Sequence, residues 1–145
     1  MQKEKVLFIC VHNSARSQMA EAFLKKYGGD SFEVQSAGLE PGVLNPIAVE
    51  TMKEIGIDIS EYYPKNIDQL KNTVFDYVIT LCSHANETCP FFPAKVKVIH
   101  KGFEDPVSLT QHLKTEEEKL TQYRRIRDEI KNYVLTLPAA LGEKE

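Results

Sequence analysis

The chain has 145 residues, of which 42% are hydrophobic, and it carries a formal net charge of −3. This length is sufficient for one domain with a buried core, and we expect a single domain over residues 1–145. The acidic balance and the absence of a Lys/Arg-rich block argue against a nucleic-acid-binding protein. The longest apolar run near the N-terminus, Val6–Val11, is too short for a signal peptide or a membrane span, so we expect a cytoplasmic protein without membrane contact.

The first predicted elements are a strand, a short loop and a helix. Val6–Ile9 is a continuous apolar run, typical of a strand that is buried on both faces of a parallel sheet. From about Ser14 the apolar residues recur at helical spacing. They are Met19, Ala20, Phe23, Leu24 and Tyr27. Gly28–Gly29 then predicts the end of this helix.

Strand and helix patterns alternate along the rest of the chain. Predicted strands cover 32–37, 77–81 and 96–99, and predicted helices cover 46–55, 66–70 and 115–137. The second strand alternates polar and apolar residues, which favours a place near a sheet edge. Thr115 and Glu118 form a capping box at the start of the last helix, and residues 141–145 should fray. The alternation predicts a parallel sheet with helices on both faces.

The loop between the first strand and the first helix is the candidate reactive site. It begins at Cys10 and has Arg16 near its end. Such a loop directs backbone N–H groups and a helix dipole towards a bound anion, helix N-termini and nearby cations favour the reactive thiolate, and a guanidinium can hold two oxygens. We therefore expect Cys10 to be a nucleophile below an oxyanion cradle. The cradle residues would be Val11, His12, Asn13, Ser14, Ala15, Arg16 and Ser17.

Two of these residues have more specific expectations. Ser14 or Ser17 could donate a hydrogen bond to the thiolate, and Asn13 tolerates the left-handed backbone that such a loop needs. The alternative is a buried cysteine at a strand end, followed by an ordinary helix cap.

Two further cysteines, Cys82 and Cys89, follow the third predicted strand. An odd total of three argues against a static disulfide framework and for a catalytic, redox or metal role. If the residues between them are helical, the sulfurs lie roughly 10 Å apart, too far for a disulfide. We expect the segment 83–88 to be helical in a reduced form and unwound in an oxidised form. Inert packing of both cysteines, and a zinc site that includes His84, remain open alternatives.

Glu104-Asp105-Pro106 follows the fourth predicted strand. Ligands of parallel α/β folds bind beyond the carboxyl ends of the strands, so Asp105 should share one edge of the sheet with Cys10 and Cys82. A carboxyl group there could protonate a leaving oxygen as a general acid. Asp-Pro also commonly begins a turn, and the residues alone leave both interpretations open.

Cys10 and Arg16-Ser17 after a first strand, with Asp105-Pro106 late in the chain, resemble the low-molecular-weight protein tyrosine phosphatases. With Cys82 and Cys89 added, the chain resembles more specifically the arsenate reductases that share this fold. The resemblance covers nearly the whole chain. It implies a flavodoxin-like, four-stranded parallel sheet with helices on both faces.

The resemblance also implies a role for each residue. Cys10 attacks arsenate, Arg16 and the loop amides hold its oxygens, and Asp105 protonates the leaving hydroxide. Cys82 then attacks Cys10 and expels arsenite, and Cys89 attacks Cys82. No bound cofactor is expected, because thioredoxin, or glutaredoxin with glutathione, would reduce the resulting disulfide. We expect a monomer.

The chain departs from its relatives in two places. Many phosphatases of this fold carry tyrosines directly after Asp-Pro, whereas Val107–Ser108 follows here, so a platform for phosphotyrosine is missing. Some arsenate reductases bind potassium through residues equivalent to Asn13, Glu21 and Ser36 and through an aspartate. Lys65 lies near the expected place of that aspartate, and its ammonium could replace the metal ion.

A phosphatase and a reductase of this kind begin with the same thiolate attack. They differ in the fate of the covalent adduct, because a phosphatase needs water and a reductase needs further thiols. Cys82 and Cys89 therefore favour arsenate reduction. Hydrolysis of phosphomonoesters is the second hypothesis, and a non-enzymatic module that binds anions or metals is the third.

Overall fold

A computed structural model describes residues 3–83 and 91–142 of the chain. Its strands are β1 (Glu4–Cys10), β2 (Phe32–Gly38), β3 (Tyr77–Thr80) and β4 (Lys97–His100). Its α-helices are α1 (Arg16–Gly28), α2 (Pro46–Lys53), α3 (Pro106–Thr110) and α4 (Glu116–Gly142). A short 3₁₀ helix covers Ile67–Leu70. In these described residues, no helix has the length and apolarity needed to cross a bilayer.

The four strands form one parallel sheet in the order β2-β1-β3-β4. This confirms the four-stranded α/β fold and the edge position predicted for β2. Val6 of β1 lies opposite Val34 of β2 on one side and Tyr77 of β3 on the other. Since all strands run the same way, Cys10 and the residues that follow Thr80 and His100 come to the same rim.

Side chains from β1 enter the core on both faces of the sheet, because successive residues of a strand point in opposite directions. Val6 and Phe8 join the larger cluster, which includes residues of α1, α2 and α4. Leu7 and Ile9 join a smaller cluster that Leu70 of the 3₁₀ helix covers together with Phe75 and Phe92. Burial on both faces of the sheet explains why the sequence of β1 contains an uninterrupted run of apolar residues.

The last helix is longer than its sequence pattern predicts. It continues beyond Leu137, through Pro138, to Gly142, so the prediction of fraying from residue 141 was wrong for its last turn. Leu141 is buried, and its carbonyl accepts a hydrogen bond from the Tyr77 hydroxyl at 3.1 Å. Tertiary packing on β3 therefore holds a helical end that local propensity does not predict.

Two other boundaries differ from the prediction. Helix α1 begins at Arg16 rather than near Ser14, and α3, which the sequence pattern did not indicate, follows Asp105 directly. The capping box is confirmed, since the Glu118 N–H donates to the Thr115 hydroxyl at 3.1 Å and the Thr115 N–H donates to the Glu118 carboxylate at 3.1 Å. The predicted change of segment 83–88 falls on residues 84–88, which lie outside the described residues.

Candidate active site

The loop of residues 11–15 connects the end of β1 to the start of α1, and its carbonyl oxygens are bound on its outer side. The Val11, His12 and Ser14 carbonyls accept hydrogen bonds from the backbone N–H groups of Glu40, Gly42 and Asn45, at 2.9, 3.1 and 3.0 Å. The carbonyls of residues 13 and 15 accept from the Gln18 side chain and the Met19 N–H, both at 2.9 Å.

This bonding pattern determines where the amide hydrogens of the loop point. In a trans peptide the N–H lies opposite the preceding carbonyl, and the described residues contain no cis peptide bond. Carbonyls bound on the outside therefore leave the N–H groups of residues 12–16 directed towards the inside of the loop. Asn13 supplies the left-handed turn with φ 53°, which confirms the expectation for this residue. The loop is a concave arrangement of hydrogen-bond donors.

Gly38, at the end of β2, permits the outer wall of this loop to pack closely. A side-chain carbon at Gly38 would lie 2.6 Å from the Val11 carbonyl oxygen and 2.9 Å from the Asn13 nitrogen. Both are backbone atoms with little freedom to move, so only glycine fits here. Sequence reasoning did not identify this residue, because its only signal was a glycine at a strand end.

Cys10 lies at the floor of the loop, with 2% of its surface exposed, and is a free thiol. Its Sγ lies 3.0 Å from the Ser17 hydroxyl, which selects Ser17 from the two predicted serines. The Ser17 oxygen already accepts a hydrogen bond of 2.6 Å from the Asn13 amide nitrogen. The Ser17 hydrogen is therefore available to donate to the Cys10 sulfur.

The orientation of the Asn13 amide is fixed by its other partners. Its Oδ1 accepts the Lys65 backbone N–H at 2.8 Å, and an N–H can only donate, so the opposite atom must be the nitrogen. That nitrogen also donates to the Ser36 hydroxyl at 3.0 Å, and Ser36 in turn donates to Glu21. A continuous chain of buried hydrogen bonds thus runs from Glu21 to the reactive sulfur.

The far end of this chain carries a cation supplied by the protein. The second carboxylate oxygen of Glu21 lies 2.6 Å from the Lys25 ammonium, one helical turn further along α1. Partial burial lowers the pKa of Lys25, but the hydrogen bond and the charge of Glu21 outweigh this effect, and the net shift is upwards. Lys65 does not take this place, because its ammonium lies over the Tyr63 ring, 5.1 Å from the centroid.

These contacts bear on the potassium site considered for Asn13, Glu21 and Ser36. Their oxygens are engaged with protein donors or with one another, and Lys25 already neutralises the charge of Glu21. The described residues therefore do not fit a potassium ion. The cation expected at Lys65 is Lys25 instead, and the spacing of four residues between Glu21 and Lys25 could have indicated this pair.

Arg16, the first residue of α1, is 3% exposed and lies on the rim of the pocket. Its Nη1 donates to the Phe103 carbonyl at 3.0 Å, and its Nη2 lies 3.9 Å from the Asp105 carboxylate. These contacts hold the guanidinium over the loop and bring the segment after β4 to the nucleophile.

Asp105 has two structural contacts besides its place in the site. One carboxylate oxygen accepts the Val107 N–H at 3.1 Å and caps α3, and the other accepts the Ser108 hydroxyl at 3.0 Å. The same carboxylate lines the pocket that contains Cys10 and Arg16. Both sequence interpretations of Asp105 are thus compatible, since the residue starts a helix and also faces the reactive sulfur.

The pocket above Cys10 has a volume of about 220 Å³, a size suited to a small anion. Its lining consists of Cys10, His12, Ser14, Ala15, Arg16, Asp105, Val107, Ser108 and Gln111. The aromatic side chains expected of a phosphotyrosine platform are missing from this lining, within the described part of the chain. That part of the chain also contains no group of three or more His, Cys, Asp or Glu side chains that could hold a metal ion.

Cys82 lies on the same rim, two residues after β3. The Leu81 N–H donates to the Ile9 carbonyl at 2.8 Å, which brings the end of β3 alongside the end of β1. Cys82 is fully buried and disulfide-bonded, and it does not belong to the described lining of the pocket. Cys89 and His84 lie outside the described residues, so the predicted pairing of Cys82 with Cys89 stays a prediction.

The strand, cradle and helix arrangement has a counterpart among known protein families. The sequence model of the low molecular weight phosphotyrosine protein phosphatase family matches residues 5–145. The chain belongs to this family. Within it, the chain is 48% identical over 136 residues to the arsenate reductase of Halalkalibacterium halodurans, with 94% of this chain and 96% of the relative covered.

Solved structures extend the similarity. A structure described as an arsenate reductase in the oxidized state matches with a TM-score of 0.77 and 33% identity, covering 95% of this chain and 98% of that chain. The thioredoxin-dependent arsenate reductase of Corynebacterium glutamicum matches with a TM-score of 0.71 and 30% identity, covering 99% of this chain and 64% of that chain. The relatives thus agree with the specific resemblance that the three cysteines indicate.

Proposed function

We propose that this protein is an enzyme that reduces arsenate to arsenite by a relay of three cysteines. The observation that carries the proposal is the free Cys10 thiol beneath a ring of inward-facing amides and Arg16, with the disulfide-bonded Cys82 after the next strand of the sheet. The relatives from Halalkalibacterium halodurans and Bacillus subtilis, which match more than nine-tenths of this chain, are named arsenate reductases. The same chemistry accounts for the cradle and for the further cysteines.

In the first step, the Cys10 thiolate attacks the arsenic atom and forms a sulfur–arsenic bond. The loop amides and Arg16 hold the anionic oxygens, and the Ser17 hydroxyl contacts the sulfur before attack. A hydroxide leaves from arsenic, and Asp105 gives it a proton so that it departs as water. Its position in the pocket lining supports this role.

In the second step, Cys82 attacks the Cys10 sulfur and the sulfur–arsenic bond breaks. The bonding electron pair stays on arsenic, which is thereby reduced and leaves as arsenite, while a Cys10–Cys82 disulfide forms. Cys89 then attacks Cys82, which restores the Cys10 thiol. A free Cys10 together with a disulfide-bonded Cys82 is the state that follows this exchange.

The last disulfide needs two electrons from outside the chain. We propose a dithiol protein of the thioredoxin type as their source, with glutaredoxin and glutathione as the alternative. The dependence on thioredoxin of the relative from Corynebacterium glutamicum supports the first choice. The relay needs no bound cofactor, and we propose that the protein acts as a monomer in the cytoplasm, where such reductants keep thiols reduced.

The direct test is arsenate-dependent oxidation of NADPH in the presence of thioredoxin and thioredoxin reductase, run beside a glutaredoxin and glutathione system. We expect turnover in the thioredoxin system and none with Cys10→Ser. Absence of arsenate-dependent NADPH oxidation in both systems, with a correctly folded protein, would refute the proposed reduction.

Hydrolysis of small phosphomonoesters is the second candidate activity. The cradle, nucleophile and acid suit phosphate as well as arsenate, because the two anions share charge and tetrahedral shape. Val107 and Ser108 in the pocket lining offer no aromatic surface for a phosphotyrosine ring. We therefore expect slow hydrolysis of a small aryl phosphate, without preference for phosphotyrosine peptides.

A further inference from the structure

His12 is an exposed residue in the lining of the active-site pocket. The titratable and charged residues that line the same space are Cys10, Arg16 and Asp105. The relay described above uses the backbone N–H of residue 12 but leaves its ring without a role. The pocket lining places His12 beside any anion that the amide cradle holds.

One nitrogen of the ring is fixed by the neighbouring loop. The His12 Nδ1 lies 2.9 Å from the Glu40 carbonyl oxygen. A carbonyl can only accept, so Nδ1 carries a hydrogen. The Glu40 N–H donates to the Val11 carbonyl, which anchors the loop that holds the ring. In the neutral ring Nε2 therefore has no hydrogen and is an acceptor.

The amide cradle itself supplies no acceptor. The inward-facing amides, Arg16 and the Ser17 hydroxyl are all donors, and they match the deprotonated oxygens of an anion. Arsenate near neutral pH also carries at least one O–H group, which needs an acceptor. Asp105 serves the leaving oxygen and also accepts from Val107 and Ser108, so the His12 Nε2 is a further acceptor for an O–H on the other side of the anion.

We infer that the His12 side chain is a substrate-binding residue for tetrahedral oxyanions that carry a proton. Its Nε2 accepts a hydrogen bond from the O–H of the anion. The inference rests on the proposed function in taking arsenate as the substrate. Inorganic phosphate has the same shape and O–H groups, so it tests the contact independently of turnover.

The test compares the unmodified protein with His12→Ala, His12→Gln and the control His112→Ala, since His112 is an exposed histidine outside the pocket lining. The readouts are the Kd of inorganic phosphate by calorimetry, and KM and kcat for arsenate. We expect His12→Ala to raise the Kd and KM about five- to tenfold, which is the value of one hydrogen bond, with little change in kcat. His112→Ala should leave all three unchanged.

The His12→Gln variant separates a binding role from a structural role. Its side-chain amide carries a hydrogen-bond acceptor, which His12→Ala lacks. His12→Gln should therefore recover part of the phosphate affinity that His12→Ala loses. Thermal unfolding of both variants should resemble that of the unmodified protein, since His12 is exposed.

Two results would overturn the inference. One is a phosphate Kd for His12→Ala equal to that of the unmodified protein. The other is a loss of affinity in His12→Gln equal to that in His12→Ala, which would indicate loop distortion rather than a lost acceptor. If the unmodified protein binds phosphate but reduces no arsenate, the proposed function fails while the phosphate titration still decides the role of His12.

Discussion

At the scale of single residues, the site is determined by which atoms donate and which accept. Asn13 has a fixed orientation because the Lys65 N–H and the Gln18 amide occupy its oxygen. That orientation makes Ser17 an acceptor towards Asn13 and a donor towards Cys10. The reactivity of one sulfur thus depends on a residue that does not contact it.

Removal of the Ser17 hydroxyl should slow the nucleophilic step. Ser17→Ala removes a hydrogen bond to a charged sulfur, which is worth about 1.5–3 kcal/mol. We expect kcat/KM for arsenate and for a small aryl phosphate to fall together, by about tenfold to a hundredfold. Steady-state kinetics with both substrates would check this. A fall for only one substrate would contradict a role in the shared first step.

Asp105 can be separated into its two roles by the choice of replacement. Asn caps a helix about as well as Asp but cannot donate an acidic proton, so Asp105→Asn should keep the thermal stability and lower kcat by about a hundredfold or more. Asp105→Ala should in addition cost about 1 kcal/mol of unfolding free energy, because α3 loses its cap. A nearly unchanged kcat for Asp105→Asn would show that Asp105 caps α3 but does not act as a general acid.

At the scale of elements, helix packing positions the outer wall of the cradle. The Asn45 N–H at the start of α2 binds the Ser14 carbonyl, so the placement of α2 affects the loop directly. Helix α2 is in turn joined to α4 through Glu54, which follows it and contacts Arg124 at 2.7 Å and Arg127 at 3.0 Å. The hydrogen bond from Arg124 is the largest effect that lowers the pKa of Glu54.

This ion pair gives stability that depends on pH. A lowered pKa in the folded protein means that the stabilisation is present above the ordinary pKa of a glutamate and is lost as the pH falls through the lowered value. Glu54→Gln should therefore lower the unfolding free energy at neutral pH, by about 1 kcal/mol or less for the solvent-exposed contact with Arg124 and by a further amount for the contact with the buried Arg127. The difference should vanish at low pH.

Urea unfolding at several pH values would measure the effect of Glu54→Gln. Glu50→Gln on the exposed side of α2 is the matched control, since Glu50 forms no ion pair within the described residues. An equal effect of the two substitutions at neutral pH would show that the contacts of Glu54 with α4 are not stabilising.

At the scale of the whole molecule, the parallel sheet brings distant parts of the chain to one rim. Cys10 and Cys82 follow adjacent strands, and Asp105 follows the next strand. Cys82 is nevertheless buried and does not line the pocket in this state. The proposed relay therefore requires that the chain around Cys82 rearranges between steps.

The relay predicts that the two activities can be separated by one substitution. Cys82→Ser should stop multiple-turnover arsenate reduction, because no thiol can then resolve the Cys10 adduct. Hydrolysis of a small aryl phosphate should persist, since water resolves that adduct. Parallel assays of arsenite formation and phosphate release would check this. Sustained arsenate turnover by Cys82→Ser would show that Cys82 is not the resolving thiol.

The sequence alone was sufficient to predict the sheet, from the alternation of strand and helix patterns, and to predict the first strand, the loop after it and the first helix. The last three are contiguous, because a buried strand, Cys10 and Arg16 follow one another within thirteen residues, and hydrophobic periodicity indicates the strand and the helix directly. The capping box at Thr115 and the left-handed Asn13 were also predictable, since both depend on local backbone geometry.

Other features depended on which distant residues meet. Gly38 backs the cradle, the Glu40 carbonyl sets the tautomer of His12, and Leu141 extends α4 through its contact with Tyr77. Each of these contacts joins residues that are remote in sequence, so no local sequence pattern predicts it. The sequence by itself determined which chemical groups stand at the rim, and only tertiary packing decided their hydrogen-bond partners and hence their protonation and orientation.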